Sequence, residues 1–494
     1  MKDIVKEQIE VLCIYGYDKH LFCTKIQNLL RTCANLHVVF IEDDKNKYEE
    51  LKNIKYKNIT SYFLHTPLQV EPLLKKIAWD FLFLKHKVIA SKDYKNKDTF
   101  EKIKEMEKEI FYGVHLVASD YADFGIGNFD NLLSNIQTKN FILLEKLFNK
   151  FENTPAIICG AGNSLTKNFD HLRNNIDKSL IFSGGKALEI LLDNNILPHF
   201  AGGIDKEFVF KNSSFSMPLF HLFRFNKTSF SKFKGPCVCV KDESIFSFEK
   251  FFLEKLNLDQ LTIDGGWNIC YFLAEIACYL GCNPIIFVGN DLSYLGKQKY
   301  PKGYKAKQAE LIKVKDVNGQ YVYTQKDWYI SSIWTNHLKA KFNETKFFNL
   351  SSGLELLGVE NSCFEDMEKT YLTKEIDKEL VLQSIANVEK TSINEENLAS
   401  VLAEIKNSLN DVIVKIDKFI SSCEEVYNKK EVFNSQLIDF VSEDLSYEII
   451  LKPVWEIWKY PMKREMKLEE NSFQYVVNEA IFMKDVAIQY LKRI

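Results

Sequence analysis

Between residues 155 and 294 the chain repeats one arrangement, a short apolar run that stops at a turn bearing Gly, Asn or Asp. Ala156-Ile157-Ile158-Cys159 runs into Gly160-Ala161-Gly162-Asn163-Ser164-Leu165, and Leu180-Ile181-Phe182 into Ser183-Gly184-Gly185. Pro198-His199-Phe200-Ala201 ends at Gly202-Gly203-Ile204-Asp205, and Ile285-Ile286-Phe287-Val288 at Gly289-Asn290-Asp291. Short apolar strands separated by helical stretches imply a parallel sheet with crossover helices. Polar turns at several strand ends suit a ligand crevice at the carboxyl edge of such a sheet. We therefore expect an α/β fold with a Rossmann-like domain from Pro155 to about Gly358.

The turn after Cys159 is the most specific of these. Glycines at 160 and 162 permit a tight turn and close backbone approach. A helix expected from Leu165 to Asn175 would present free N–H groups and a partial positive charge, with Ser164 able to cap it. Strand, glycine turn and helix together make an anion site. A plain strand-to-helix turn, with glycine serving shape alone, is the other reading. The third glycine of the dinucleotide fingerprint is absent, so a mononucleotide-activated donor fits better than a dinucleotide.

With 494 residues the chain exceeds the roughly 250–300 that one core supports, so several domains are expected. Residues 1–95 read as a smaller N-terminal α/β domain, with strands near Val11–Tyr15, His37–Ile41 and Ile59–Leu64. Its first turn, Gly16 to His20, has a single glycine. A structural or acceptor-binding role is therefore favoured over cofactor binding there, although Glu42 stands where dinucleotide folds place a ribose-binding acid. Residues 96–150 read as a helical connector broken by a loop at Asp120 to Asn131. The central nucleotide-binding domain is assigned 151–360. Residues 361–494 read as a C-terminal helical domain, where apolar residues from Leu402 to Phe419 recur at steps of three and four.

Charge is nearly balanced, with 64 basic and 67 acidic residues, which argues against a nucleic-acid partner. No uncharged apolar stretch is long enough to span a membrane, and no signal core follows the charged first residues, so a cytoplasmic protein is expected. The 11 cysteines lie scattered, mostly in apolar runs, as reduced thiols would. Cys237 and Cys239 alone cannot make a zinc site, and His171, His199 and His221 show no metal spacing, so no metal ligands are assigned. Lys297, Lys299, Lys302, Lys305 and Lys307 form a basic loop, either solvated or a lid attracting an anionic donor.

In this order and spacing, the motifs at 155–165, 198–205, 266–268 and 281–294, with a later hairpin at 314–324, resemble the motility-associated-factor (Maf) flagellin glycosyltransferases. That family shares a domain with the MptE-like 6-hydroxymethylpterin pyrophosphokinases. The strand-turn pattern is also similar to bacterial sialyltransferases that use CMP-sugars. The resemblance implies a glycosyltransferase moving a nonulosonic acid (sialic, pseudaminic or legionaminic type) from a CMP-activated donor to Ser or Thr hydroxyls of a protein such as flagellin. Gly160, Gly162, Asn163 and Ser164 would meet donor phosphate or ribose, and Gly266 and Asn268 would face the nucleotide. Gly289 would belong to the same nucleotide and donor contacts, and Asp291 and Tyr294 would border the sugar.

Such a transfer needs no cofactor, only a general base. Asp291 is the first candidate, Asp205 the second and Asp264 the third, each with an Asx turn or helix cap as its alternative reading. Two other functions stay open. Asp205 and Asp291 could hold Mg2+ with ATP in a pyrophosphokinase of the pterin type. The chain could also be a non-catalytic nucleotide-binding assembly protein.

Overall fold

Val11–Tyr15 (β1) is wholly buried, as a run flanked by strands on both sides should be. It pairs in parallel with His37–Glu42 (β2) and with His86–Ala90 (β4), and β2 pairs with Ile59–Phe63 (β3), giving the order β3-β2-β1-β4. β4 was not foreseen from the sequence. It is only half-buried and mixes His86 and Lys87 with three apolar residues, which hides the apolar run. We describe a computed structural model. It describes residues 4, 7–33, 35–137, 140–242, 246–258, 261–264, 268–294, 298–300, 304–305, 311–429, 436–466 and 473–494.

The chain divides into two compact units, 1–120 with 456–468, and 121–455 with 469–494. The boundary falls inside one helix, Asp98–Ile136 (α1). The loop expected at Asp120 to Asn131 is therefore helical instead. Two interior glycines each disfavour a helix by about 1 kcal/mol, and tertiary packing outweighs them. Phe129, Leu132 and Ile136 are buried, and Gly125 leaves room for the Tyr490 hydroxyl. Asn131 and Asn135 donate side-chain hydrogen bonds to the carbonyls of Arg224, Phe223 and Phe225.

The larger unit is built on a nine-stranded sheet. Its strands are Ile142–Leu143 (β5), Ala156–Cys159 (β6), Leu180–Gly184 (β7), Phe200–Gly203 (β8), Leu219–His221 (β9) and Cys237–Cys239 (β10). Ile285–Val288 (β11), Phe347–Asn349 (β12) and Glu360–Asn361 (β13) complete it. The order is β13-β12-β11-β6-β7-β8-β9-β10-β5, and every pairing is parallel. The fold is thus the Rossmann-like α/β type expected, with helices covering both faces. Alternate residues of β6 show the two layers. Ala156 and Ile158 join the core under helix Ile269–Tyr279, whereas Ile157 and Cys159 face Leu165, Leu172 and Leu191. Gly185–Asp193 (α2) supplies Leu191, and Ile269–Tyr279 (α3) is apolar around its circumference and buried accordingly. Lys326–Lys341 (α4) adds Trp334 and Leu338 to the first layer.

Beyond the sheet, Glu395–Lys429 (α5) buries Val401, Ile405, Leu409, Val412, Ile416 and Phe419, the spacing anticipated for an amphipathic helix. It packs antiparallel to Phe473–Leu491 (α6), as Tyr427 stacks on Phe473 and Asp417 pairs with Lys484. No helix among the described residues is long and apolar enough to cross a membrane.

Candidate functional site

Strand order fixes where a crevice must form. From β6 the chain steps through β7, β8, β9 and β10 in one direction, then β11 returns to the other side of β6. The connections leave β6 and β11 on opposite faces, so the carboxyl ends of these two strands flank the switch point, the ligand position in open α/β sheets. The sequence-selected turns Gly160–Leu165 and Gly289–Tyr294 lie at these two strand ends.

The turn after β6 is held from inside the protein. Gly160 N–H donates to the Val288 carbonyl and Gly162 N–H to the Gly289 carbonyl. A Cβ on Gly160 would stand 2.5 Å from the Gly289 oxygen, and one on Gly162 would stand 2.5 Å from the Asp291 carboxyl carbon. These two glycines are required for chain-to-chain contact. Gly289 takes φ +71°, open to glycine at little cost. Asp291 is buried. Its Oδ2 accepts the Ser164 N–H at 2.8 Å, and its Oδ1 accepts the Ser164 hydroxyl and the Ser352 N–H. An internal carboxylate therefore occupies the turn's donors at Ser164.

The helix expected from Leu165 is different in the structure. Asn163–Asn168 is a 3-10 segment, followed by a short α-helix at Phe169–Asn174. Gly162 rather than Ser164 stands at the N-cap, without a side-chain cap bond, because Asp291 takes the Ser164 hydroxyl. The turn thus opens a 3-10 segment rather than the α-helix expected, and Asp291 already accepts the Ser164 N–H at its start.

An α-helix N-terminus does reach the carboxyl edge, from α3. Asn268 caps it by accepting the Cys270 and Tyr271 N–H groups. Ile269 packs on Gly184 and Gly202, where a Cβ would stand 2.5 Å and 2.7 Å from it, and Cys270 packs on Gly160. The start of α3 thus lies over the ends of β6, β7 and β8. Two buried donors there lack partners among the described residues, Asn268 Nδ2 and Ser183 Oγ. Gly266 falls outside the described residues, as do Lys297, Lys302 and Lys307 of the basic loop. Lys299 and Lys305 lie in a small antiparallel pair, Gln298–Tyr300 with Tyr304–Lys305.

The remaining sequence candidates separate by environment. Tyr294 is buried and donates to Gln325 Oε1 at 2.6 Å while its ring lies against Trp328. Its backbone joins the expected hairpin, Ile312–Lys315 with Tyr321–Thr324, through Tyr323. Asp205 follows β8 in an exposed Asx turn, where Oδ1 accepts the Glu207 and Phe208 N–H groups. Asp264 accepts the Trp334 indole N–H at 2.6 Å and donates its own N–H to Glu275. Asn163 is partly exposed in the 3-10 segment.

Sequence reasoning missed three groups. Ser183 gave a usable signal, a hydroxyl at a glycine-flanked strand end. Lys206, beside Asp205, gave none, because its character comes from tertiary surroundings. Burial, then the Arg224 guanidinium, pushes its pKa down to about 7. Glu275, in the middle of α3, is pushed up to about 7 by burial, although Lys341 at 2.7 Å opposes that shift. His199 lies at the other end of β8 and accepts the Ile181 N–H, and burial lowers it to about 4.

Residues 130–297 match the family model described as 6-hydroxymethylpterin diphosphokinase MptE-like. That stretch is MptE-like in sequence. It carries β6 to β11, and hence both turns at the switch point. The solved structure of a Maf glycosyltransferase from Magnetospirillum magneticum AMB-1 is similar over 98% of this chain and 79% of that chain, with a TM-score of 0.56 and 13% identity. At that identity the likeness is one of fold, and it extends beyond the MptE-like stretch to both units. No curated protein matches the chain significantly.

Proposed function

We propose that the chain is a glycosyltransferase, moving a nonulosonic acid from a CMP-activated donor to Ser or Thr hydroxyls of a protein such as flagellin. The observation that carries this reading is the capped start of α3 over the switch point, with Asn268 Nδ2 and Ser183 Oγ unpartnered beside it. Free donors at an α-helix N-terminus stabilise a phosphate that departs with its charge already formed. Transfer then needs only a proton acceptor for the incoming hydroxyl and no cofactor. Asp205 suits that role better than Asp291. One Asp205 oxygen is free of the Asx turn, whereas both oxygens of Asp291 are engaged with Ser164 and Ser352. Gly160, Gly162 and Gly289 then shape the crevice wall, and Asn163, Gly266 and Tyr294 border the donor. The fold shared with a Maf glycosyltransferase supports the reaction class.

A second reading follows from the family model, a Mg-ATP-dependent diphosphokinase of the pterin type. Magnesium needs open carboxylate oxygens beside the phosphates. Asp205 offers one outside its Asx turn, whereas both oxygens of Asp291 are engaged with Ser164 and Ser352. Calorimetry with CMP, CTP and ATP decides between these readings. CMP binding without metal, weakened by Asn268→Ala, is the expected result. ATP binding that requires magnesium would favour the diphosphokinase, and no nucleotide binding at all would leave an assembly protein.

A further inference from the structure

The smaller unit has its own switch point. From β1 the chain proceeds through β2 and β3 on one side, and β4 returns on the other. The ligand position of such a sheet lies outside the carboxyl ends of β1 and β4. A cavity of about 510 Å³ opens there, lined by Asp18, His20 and Lys25 after β1 and by Ser91, Lys92 and Lys95 after β4. That volume suits a ligand of monosaccharide size.

The charges in this cavity are unbalanced. Lys87, also in the lining, pairs with Glu7 at 2.9 Å. Asp18 is occupied as a helix cap, accepting the Leu21 N–H. Lys25, Lys92 and Lys95 are exposed and have no carboxylate partner among the described residues. Ser91 is buried, and its hydroxyl has no hydrogen-bond partner among the described residues. Lys52, Lys75 and Lys97 of this unit pair with acids, whereas the exposed Lys55 and Lys57, which lie outside this cavity, have no carboxylate partner among the described residues. Three lysines without a carboxylate partner among the described residues line this one cavity, and their summed charge attracts an anion.

The position of a dinucleotide is meanwhile blocked. The Tyr94 ring lies so close to Gly16 that a Cβ there would stand 2.2 Å from it. Glu42, where a ribose acid would be, is buried and accepts the Tyr17, Asp43 and Asp44 N–H groups and the Tyr94 hydroxyl. Among the described residues the cavity lies on the β1–β4 side. The cations lining it are lysines without an arginine, and lysine meets phosphate as a point charge, whereas planar carboxylates are matched by the arginine fork.

We propose that the β1–β4 cavity of the smaller unit binds the phosphate of a small phosphomonoester, independently of the central crevice. Ser91 supplies a hydroxyl donor, and Lys25, Lys92 and Lys95 supply the charge. The test is calorimetric titration of the full-length protein, in saturating CMP, with glycerol 3-phosphate, inorganic phosphate and lactate. Glycerol 3-phosphate should bind saturably and more tightly than lactate, and more weakly as salt rises. Lys92→Glu/Lys95→Glu should weaken it about tenfold or more, while Lys55→Glu/Lys57→Glu, an equal charge change at exposed positions elsewhere in the unit, should not. Inorganic phosphate binding as tightly as the ester would overturn the ester and leave an anion site alone. The whole proposal falls if no ligand saturates, if lactate matches the ester, or if the two double variants bind alike. Far-UV circular dichroism of both variants checks that they remain folded.

Discussion

The two sheets solve the same problem with opposite results. In each, a buried carboxylate pins the turn that follows the first strand of the doubly wound order. In the larger unit it is Asp291, which accepts the Ser164 N–H after β6. In the smaller unit it is Glu42, which accepts the Tyr17 N–H after β1. Asp291 comes from the loop after β11, on the switch-point side. Glu42 comes from β2, on the far side. The larger unit thus places its own anion at the switch point, and two buried donors, Asn268 Nδ2 and Ser183 Oγ, stay without partners among the described residues beside the start of α3. The smaller unit blocks the far side with Tyr94 and Glu42 and leaves its switch point open and basic. A glycine turn after a strand therefore does not locate a ligand. Which neighbouring strand supplies the internal anion decides which strand end is filled from inside the protein.

Removing the internal anion is the strongest way to break this comparison. Asp291→Ala leaves the Ser164 and Ser352 donors buried without a partner, and should destabilise the larger unit by about 3–4 kcal/mol. Glu42→Ala strands four donors and should destabilise the smaller unit comparably, by about 3 kcal/mol. Urea unfolding read separately for each unit, by fluorophores placed in each, checks both. A loss in the wrong unit for either variant would contradict the parallel.

A second expectation concerns titration in the larger unit. The Glu275 carboxyl has its folded pKa raised to about 7 from an ordinary value of 4.5. Its contribution is fully present below about pH 4.5 and is lost as pH rises through about 7, by roughly 2–3 kcal/mol. Lys206 has its folded pKa lowered to about 7 from 10.5. Its contribution is present above about pH 10.5 and is lost as pH falls through 7. His199 opposes Glu275 on the acid side, because its folded pKa, lowered from 6.5 to about 4, costs stability as pH falls through that window. The two nearly cancel there, so the net rise in stability from these three groups lies above about pH 7. Glu275→Gln should unmask the His199 slope, a gain in stability as pH rises from about 4 to 6.5, and Lys206→Met should flatten the alkaline side. An acid side left unchanged by Glu275→Gln would show that this carboxyl is solvated.

Much of this architecture was legible in the sequence because strands buried on both faces read as plain apolar runs. β1, β2, β6, β7 and β11 are of that kind, and so is the apolar stripe of α5. β4 was not legible, since His86 and Lys87 interrupt it at a sheet edge. The helix through Gly125 and Gly127 was hidden for another reason. Local propensity opposes it, and the contacts that outweigh propensity, Asn131 and Asn135 on the carbonyls near Arg224, lie about 90 residues away in sequence. In the site, strand ends could be read, so Asp205, Asn268 and Asp291 were found at the carboxyl edge. What each side chain meets there could not be read. Spacing alone cannot show that Gly162 faces a carboxylate from another loop.

That contact gives a smaller expected effect. Gly162→Ala puts a methyl group 2.5 Å from Asp291 and should destabilise the larger unit by about 1–3 kcal/mol. If Gly162 instead lined an open phosphate nest, alanine would be tolerated in the free protein and would weaken CMP alone. Thermal unfolding of the variant with and without CMP separates the two outcomes.

The smallest structural change belongs to Asp205. Asparagine forms the same Asx turn, so Asp205→Asn should alter stability by no more than about 0.5 kcal/mol. Its carboxamide cannot accept a proton at neutral pH. If Asp205 is the proton acceptor, transfer should fall by roughly 100-fold or more, with CMP affinity unchanged. Lys206 then provides a control within the same loop. It is the neighbouring group with a pKa near 7, and a proton acceptor there would make the rate of Lys206→Met, rather than that of Asp205→Asn, collapse. Comparing the two variants over pH 6–9 therefore assigns the base while leaving the fold at the switch point intact.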